Sequence, residues 1–311
     1  MFAKHEVTGQ LLRELRMVAG IGLRQMSGKI HYSPAYISEI ESGKRPVSPG
    51  VVDAYRRVLG NDSALDVDRL VATVADPSSA GSSALEDISV VLERTRRLED
   101  RVGAALVTPA IRGFDSVARA LAPAGGSSLA AEVATYRGWL EHVAGRYTTA
   151  DKVLSDAARL AEDADGTLYA HALSFRAYNA WHQGDIGGAL DVNEAAIQVP
   201  RAHPSLHAYD IYQRAELLAA SRDHTRAYRA LHRADRAAEA LDGIEPPADG
   251  YWYVDGFWGV QRGVVLALLG RQAEAVREAT AGVAALPSEF RRAEWLGIML
   301  DRIDPEMSVP G

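Results

Sequence analysis

The side chains that could perform catalysis or hold a metal are few and poorly spaced. The 311 residues include nine histidines and no cysteine, which excludes disulfides, Cys-ligated zinc, iron–sulfur clusters and thiol nucleophiles. His203 and His207 stand four residues apart, but Pro204 between them interrupts a shared helix. The acidic residues within 162–165 are typical of a solvated helix surface. We therefore expect no catalytic residue, no metal ligand and no cofactor.

Larger enzyme and membrane motifs are missing as well. The sequence has no Gly-x-Ser-x-Gly elbow and no Gly-rich phosphate loop after a strand. Its longest apolar runs, such as residues 264–269, are far shorter than the roughly 20 residues of a membrane span. The polar first ten residues do not resemble a secretory signal. These features predict a cytoplasmic protein that is not an enzyme and has no membrane partner.

The elements that carry the remaining side chains are predicted to be helices almost everywhere. Ala, Leu, Arg and Glu dominate long stretches, while β-branched alternation is scarce. A chain of this length favours two domains, and a Pro/Gly/Ser-rich stretch at 76–83 is typical of a linker between them. The fold class that follows is all-α.

A stripe of apolar residues after the linker predicts one long helix. Its members recur at three- and four-residue steps, and the stripe either pairs with a partner subunit or covers the neighbouring domain. They are Leu85, Ile88, Leu92, Thr95, Val102 and Leu106.

Charge is distributed unevenly along the chain. Residues 1–60 hold nine basic and five acidic side chains, a formal +4, whereas the other 25 basic and 36 acidic side chains give residues 61–311 a formal −11. A basic head on an acidic body favours contact with a polyanion through the head alone. The alternative is chance variation in charge over 60 residues.

The basic head has the pattern of short helices joined by tight turns. Helices are predicted at 11–18 and 23–30, and a third begins at Ser33-Pro34, where Ser can cap and Pro suits the first turn. That helix ends near Gly43, and a fourth spans 49–59. Two short helices joined by a tight turn can lay one helix in the major groove of DNA.

The residues of the head resemble a known DNA-binding family. Gly22-Leu-Arg-Gln-Met, Ser33-Pro-Ala-Tyr-Ile-Ser-Glu-Ile-Glu-Ser-Gly-Lys and Ser48-Pro-Gly-Val-Val are similar to the helix-turn-helix of xenobiotic-response-element-like (XRE, Cro/C1-type) repressors. The likeness spans residues 9–70 and implies that 33–40 is the recognition helix.

The resemblance also implies which side chains face DNA. Glu39 can accept from cytosine N4 and Ala35 suits a thymine methyl, whereas Arg24, Lys44 and Arg45 are expected at phosphates. The whole predicted DNA-binding set is Arg24, Ser33, Pro34, Ala35, Tyr36, Ser38, Glu39, Lys44 and Arg45.

Some positions of the head are assigned structural roles or depart from the family pattern. Glu41 aligns with the residue that forms an internal ion pair with Arg16, so it is not expected to read bases. His31 replaces the usual turn Gly in a left-handed position, which costs a non-Gly residue some stability. Ser27 replaces an Ala, and Gly28 weakens the second helix.

The acidic body repeats one pattern four times. Each repeat has a turn residue, a small residue seven positions earlier, an Ala five positions later and a small residue twelve positions later, as stacked antiparallel helices require. The turn residues are Gly145, Gly184, Arg222 and Gly270; the earlier small residues are Gly138, Ala177, Ala215 and Gly263, and the later ones are Ala157, Ala196, Ala234 and Gly282.

These positions resemble the tetratricopeptide repeat (TPR) over residues 130–286, with a further helix predicted at 288–302. The resemblance implies that the first helix of each repeat lines a concave face, where aromatic and polar side chains suit a peptide or a flat organic molecule. The alternative is that these rings pack between repeats or against a terminal helix. The residues assigned to this face are Thr135, Trp139, His142, His171, Ser174, Tyr178, Trp181, Tyr209, Tyr212, Glu216 and Phe257. Eight of them are predicted to bind the ligand: Trp139, His142, His171, Tyr178, Trp181, Tyr209, Tyr212 and Glu216.

Together the two resemblances predict a DNA-binding transcriptional regulator similar in layout to RRNPP-type regulators. They imply a homodimer on a roughly palindromic double-stranded operator and a TPR-like domain that senses a peptide or small molecule. An adaptor whose array recruits a protein partner is the alternative. The predicted domains are 1–75 for DNA binding, 76–83 for the linker, 84–122 for connecting helices that could dimerise, and 123–311 for the repeats.

Overall fold

The structure is a computed structural model, which describes residues 8–19, 21–59, 67–76 and 81–307. These residues form α-helices and short 3₁₀ turns without a strand among them, so the all-α prediction is confirmed. The chain divides into two compact units, Met1–Leu98 with Pro109–Leu129 and Glu99–Thr108 with Ala130–Gly311. The predicted boundaries at 75, 83 and 122 stay predictions, and residues 77–80 of the predicted linker lie outside the described part.

The first unit begins with five short helices. Their bounds are Gly9–Val18 (α1), Leu23–Ile30 (α2), Pro34–Glu41 (α3), Pro49–Leu59 (α4) and Val67–Ala75 (α5). The first four match the helices predicted from the sequence. Their apolar faces meet in one core, which includes Leu12, Leu15, Met26, Ile30, Ile37, Ile40, Val51 and Tyr55.

The turn between α2 and α3 is set by local chemistry. His31 adopts the predicted left-handed backbone, with φ of 59°. The Ser33 hydroxyl accepts a hydrogen bond from the Tyr36 amide at 3.2 Å and caps α3, while Pro34 fills the first helical position. Ser27 donates its hydroxyl proton to the Tyr32 carbonyl at 2.6 Å, so the residue that replaces the usual Ala closes the turn.

A buried ion pair ties α1 to α3, as the sequence predicts. Arg16 donates from Nε and Nη2 to the two carboxylate oxygens of Glu41 at 2.6 and 2.7 Å, and Tyr55 donates to Glu41 at 2.6 Å. Burial raises the pKa of Tyr55, and so does its hydrogen bond to Glu41. Because Glu41 faces the core with its oxygens occupied, it holds the helices in place and is not available to read a base.

The stripe after the linker is interrupted, which corrects the single long helix expected there. The helix α6 spans Ser82–Val102, Gly103 adopts a φ of 83°, and α7 spans Ala104–Leu121. Leu106 therefore lies on α7 and is exposed, whereas Ile88 and Leu92 are buried. Asp87 on α6 accepts from Arg69 on α5 at 2.6 and 2.9 Å. Glycine at 103 supplies the left-handed conformation that ends α6.

The second unit consists of paired antiparallel helices and a final helix, the succession of helix pairs that the sequence predicts. The pairs are Ser127–Val143 (α8) with Tyr147–Ala161 (α9), Gly166–His182 (α10) with Ile186–Ile197 (α11), Pro204–Ala220 (α12) with His224–Glu239 (α13), and Asp255–Leu268 (α14) with Gln272–Ala285 (α15).

All four predicted turn residues have a left-handed backbone. Gly145, Gly184, Arg222 and Gly270 have φ values of 71°, 85°, 64° and 75°. The four turns therefore share a backbone conformation as well as a position in the repeat. Arg222 adopts the left-handed conformation for which the other three turns use glycine.

Small residues let the paired helices touch. A Cβ added to Gly282 on α15 would lie 2.7 Å from both the Gly256 carbonyl oxygen and the Val260 nitrogen of α14. A Cβ at Gly138 on α8 would collide with the Leu154 side chain of α9. The predicted small residues Ala157, Ala196 and Ala234 are buried. The small residues that recur in the sequence thus lie where the two helices of a pair come into contact.

The last helix is shorter than the predicted 288–302. Residues Phe290–Arg292 form a 3₁₀ turn, Ala293 is extended with ψ of 137°, and α16 spans Glu294–Ile303. Leu296, Met299, Leu300 and Ile303 are buried, and α16 packs on α14 and α15. The break lets α16 change direction and cover the repeats with its apolar face.

The described residues include neither a membrane-spanning helix nor a metal-binding cluster. None of their helices combines the length and apolarity needed to cross a bilayer. Within the same residues no cluster of three or more His, Asp or Glu side chains could hold a metal ion.

Replacing Gly282 tests the contact between α14 and α15. Although Ala is the better helix former, we expect Gly282→Ala to lower the unfolding free energy by about 2 kcal/mol, because its Cβ must displace backbone atoms. Urea unfolding followed by tryptophan fluorescence measures the change.

The matched control is Gly297→Ala in α16, whose added Cβ meets nothing within 4 Å. We expect this variant to keep or raise stability by up to about 1 kcal/mol. Equal losses in both variants would contradict the close helix contact.

Candidate nucleic-acid interface and ligand face

The exposed surface of α3 carries most of the predicted DNA-binding residues. Ser33, Pro34, Ala35 and Ser38 are exposed, and Tyr36 and Glu39 are half-buried. Ile37 and Ile40 on the opposite side are in the core. The helix therefore presents small and polar side chains outward while its apolar side anchors it, as a helix that enters the major groove must.

Glu39 and Arg45 are paired with each other. Arg45 Nη2 lies 2.8 Å from Glu39 Oε2 and the Arg45 amide donates to the Glu39 carbonyl at 3.1 Å. The same guanidinium stands 4.9 Å from the centre of the Tyr36 ring, which stacks on Tyr32 at 5.3 Å. A predicted base reader and a predicted phosphate contact thus pair with each other at the C-terminal end of α3. Both side chains are about half exposed, so this pair contributes little stability.

Two further predicted phosphate contacts are unpaired. Lys44 and Arg24 are exposed and make no ion pair with the residues that the structure describes. Arg24 lies in the first turn of α2, whose N-cap, Gly22, provides no side-chain hydrogen bond. Amides at a helix N-terminus without a side-chain cap, next to an arginine, favour an anion such as a phosphate.

The predicted ligand face of the second unit gathers its rings in two groups. The first is the aromatic cluster, which comprises Trp139, His142, Tyr147, Phe175, Tyr178, Trp181 and His182 from α8, α9 and α10. Trp139 stacks on Phe175 at 5.2 Å and on His142 at 5.8 Å. Trp139 and Trp181 stay half-buried, whereas His142 and Tyr178 are buried.

His142 is held as a neutral imidazole within this cluster. Burial lowers the pKa of His142 to about 4, which outweighs the opposing effect of its hydrogen bond to Asn179. The Asn179 amide nitrogen donates to the Tyr147 carbonyl at 3.0 Å, so its oxygen accepts from His142 Nδ1 at 3.0 Å. Burial also lowers the pKa of His182, the next ring at 4.8 Å. The cluster is therefore an uncharged aromatic wall at neutral pH.

An ion pair between α12 and α16 borders the aromatic cluster. Arg302 on α16 donates from Nη2 to Glu216 on α12 at 2.8 Å and from Nη1 to the Tyr178 hydroxyl at 3.2 Å. Its guanidinium lies 4.9 Å from the centre of the Trp181 ring. Burial opposes the charge of Arg302, but the Glu216 carboxylate raises the pKa of this guanidinium above its usual value.

The second group of rings surrounds His171 and Tyr209. His171 Nδ1 lies 2.9 Å from Asp249 Oδ2, and its ring is 5.9 Å from Trp252. Tyr209 contacts Tyr253 at 5.5 Å and Phe257 at 6.2 Å, and Phe257 reaches Trp295 on α16 at 5.8 Å. These rings pack against one another and against the terminal helix, which is the alternative left open for this face.

Three other residues of the predicted face have internal roles. Tyr212 is separated from the rest, because its hydroxyl donates to Asp235 on α13 at 2.9 Å and its ring stacks on Trp258. Ser174 donates to the Ala170 carbonyl at 2.8 Å, and Thr135 donates to the Ala131 carbonyl at the same distance. All three are buried, so the structure does not gather them with Trp139 and Trp181.

Sequence reasoning missed four members of this face. Phe175, Tyr147 and His182 complete the aromatic cluster, and Arg302 closes it from α16. Phe175 lies one residue after Ser174 in α10 and could have been found from the repeat frame. Arg302 carries no such signal, because it is 86 residues away from its partner Glu216.

The comparisons with known proteins agree with the N-terminal geometry. A family model described as a helix-turn-helix domain matches residues 8–70. The helices α1–α5 belong to a helix-turn-helix domain. A search of curated proteins gave no significant match. Among solved structures, the chain is similar to that of Bacillus thuringiensis PlcR in complex with the peptide PapR7 and DNA, with 12% identity, 96% of each chain covered and a TM-score of 0.44.

The neutral state of His142 predicts a specific pH dependence. The unfolded chain takes up a proton at this histidine below pH 6.5, whereas the folded protein takes it up only near pH 4. The contribution of His142 to stability is therefore lost as the pH falls between these values. From pH 7 to pH 5, we expect the wild type to lose about 2 kcal/mol more unfolding free energy than His142→Gln.

Urea unfolding of both proteins at the two pH values measures this difference. All five tryptophans lie between residues 139 and 295, so their fluorescence reports the second unit. Parallel losses in the two proteins would show that His142 titrates normally in the folded state.

Proposed function

We propose that this chain is a DNA-binding transcriptional regulator of the XRE (Cro/C1) type whose repeat unit senses a peptide or small molecule. The observation that carries the DNA-binding part is the helix-turn-helix domain with a capped, outward-facing α3. The formal +4 of residues 1–60, against −11 for the remainder, supports contact through this domain alone.

Roles on DNA follow from side-chain type and position. We assign Ala35, Ser38 and Glu39 to base edges in the major groove, and Lys44 and Arg24 to phosphates. Arg45 pairs with Glu39 in the free protein. It can therefore bind a DNA phosphate only after it leaves the Glu39 carboxylate. Because such domains read one half-site each, we further propose that a homodimer binds a roughly palindromic operator.

The sensing role is supported by the composition of the second unit's face. Half-buried Trp139 and Trp181 offer ring surfaces beside an uncharged aromatic cluster and one ion pair. A ligand there can regulate DNA binding only if it binds one conformation of the protein better than another. The sensing role is wrong if no peptide or metabolite changes the thermal stability of the protein or its operator affinity. Recovery of a stoichiometric protein partner in pull-downs would instead favour an adaptor.

Single substitutions in the head separate phosphate contacts from base contacts. After selection of an operator from random DNA, Lys44→Ala should weaken binding to all sequences and reduce the slope of log affinity against log salt by about 1. Glu39→Ala should instead change the preferred base at one position, by about 1–3 kcal/mol of discrimination.

Lys152→Ala is the matched control, since Lys152 is an exposed lysine of the second unit. It should leave affinity and salt slope unchanged. An unchanged salt slope in Lys44→Ala, or an equal fall in Lys152→Ala, would contradict our placement of the DNA interface.

A further inference from the structure

The ion pair between Arg302 and Glu216 joins α16, which follows the repeats, to the repeat helix α12. Glu216 lies on α12 and is only 2% exposed. Its other oxygen accepts a hydrogen bond from Gln261 on α14. The carboxylate is thus held in place by the repeats themselves, independently of α16. A buried carboxylate in such a position requires a cation, and Arg302 supplies it.

The surroundings of Glu216 select the kind of cation. The Tyr178 hydroxyl accepts from one arm of the Arg302 guanidinium, while Glu216 accepts from the other. The Trp181 ring lies 4.9 Å and the Tyr178 ring 5.6 Å from the guanidinium carbon. Two acceptors for two arms, with ring faces beside them, fit a flat guanidinium with its fork of donors better than a compact ammonium.

We propose that Glu216, Tyr178 and Trp181 form a guanidinium-binding site, which Arg302 fills in cis and which the arginine side chain of a peptide ligand fills in its place. The three residues are called the guanidinium site below. The site gives the chemical class of ligand for the sensing role proposed above, and it rests on that role. The ligand must carry a cation, because its arrival would otherwise leave Glu216 buried and unpaired.

The helix that carries Arg302 is also attached at its other end. Glu294, in the first turn of α16, accepts from the Ala104 amide at 2.6 Å, directly after the Gly103 break between α6 and α7. Gln272 donates to the Ile303 carbonyl at 2.7 Å and holds the last turn. A ligand arginine that binds the guanidinium site displaces Arg302 from the last turn of α16. The first turn of the same helix is hydrogen-bonded to the residue that follows the break between α6 and α7.

A free guanidinium does not compete in the wild type, because Arg302 is tethered beside its site at a high effective concentration. A peptide ligand gains the additional contacts it needs from Trp139 and the half-buried part of Trp181. The site itself is therefore best tested in a full-length chain from which Arg302 has been removed.

Chemical complementation of Arg302→Ala tests the guanidinium site. Ethylguanidinium supplies the atoms that the substitution deletes. We expect Arg302→Ala to melt about 5 °C below the wild type and ethylguanidinium to restore part of this loss saturably, with a Kd of about 1–10 mM and a change in tryptophan fluorescence. Ethylammonium and urea should have at least tenfold weaker effects, and the wild type should not respond.

Two variants serve as controls. Arg302→Ala combined with Glu216→Gln should not respond to ethylguanidinium, because the carboxylate is missing. Arg292→Ala removes an exposed arginine from the turn before α16 and should neither lose stability nor respond. Should Arg302→Ala fail to fold alone, ethylguanidinium present during refolding should recover its helical circular dichroism. Absence of saturable recovery, or equal recovery with ethylammonium or in the double variant, overturns the guanidinium site.

The peptide part is tested on the wild type with a pool of octapeptides that contain one arginine and with the same pool in which citrulline replaces it. We expect at least tenfold stronger binding of the arginine pool, measured by tryptophan fluorescence. Equal binding of both pools contradicts a ligand arginine. Neither experiment includes DNA, so a failure of the guanidinium site is distinguishable from a failure of the proposed DNA-binding function.

Discussion

Close contact between the two helices of each hairpin is the constraint on which the repeat unit depends. Gly282 touches the backbone of α14, and the small residues Ala157, Ala196 and Ala234 are buried at the corresponding points of the other hairpins. Large side chains have no room at these points of contact. The rings of the aromatic cluster on α8 and α10 consequently lie elsewhere on these helices, where they must pack against one another or against an added element.

The added element is α16, and its fit explains the chemistry of the face. Its apolar residues cover α14 and α15, and Trp295 meets Phe257. Its last turn brings the guanidinium of Arg302 to the buried carboxylate of Glu216. The aromatic cluster beside this pair is uncharged, since burial keeps His142 neutral above about pH 4. The Arg302–Glu216 pair thus places one cation and one anion beside uncharged rings, and replacing Arg302 by a ligand arginine is therefore chemically conservative.

Local signals allowed much of the fold to be predicted from the sequence. Ser33-Pro34 and His31 determine where α3 begins, and the spacing of small residues around Gly145, Gly184, Arg222 and Gly270 identifies the hairpins. The sequence also predicted the Arg16–Glu41 pair through the family resemblance. The break at Gly103 was missed, because the apolar stripe continues in phase through Val102 to Leu106 although the helix does not.

Long-range contacts limited the prediction of the site. Tyr212 belongs to a repeat helix that lines the predicted face, yet its ring packs on Trp258 and its hydroxyl on Asp235. The repeat frame places a residue on a helix but does not determine which neighbour its side chain meets. Arg302 is the clearest example, because its partners Tyr178 and Glu216 precede it by 124 and 86 residues. Nothing in the local sequence of α16 indicates that its arginine, Arg302, completes the site.

The sensing role that we propose requires DNA binding to change when a ligand arginine displaces Arg302 from the guanidinium site, and one measurement tests this directly. Operator affinity of the wild type is measured with and without a saturating amount of the arginine-containing octapeptides, and again with the matched citrulline octapeptides. We predict a change of about tenfold with the arginine peptides and none with the citrulline peptides. Unchanged affinity, while tryptophan fluorescence shows that the arginine peptides are bound, would contradict this role.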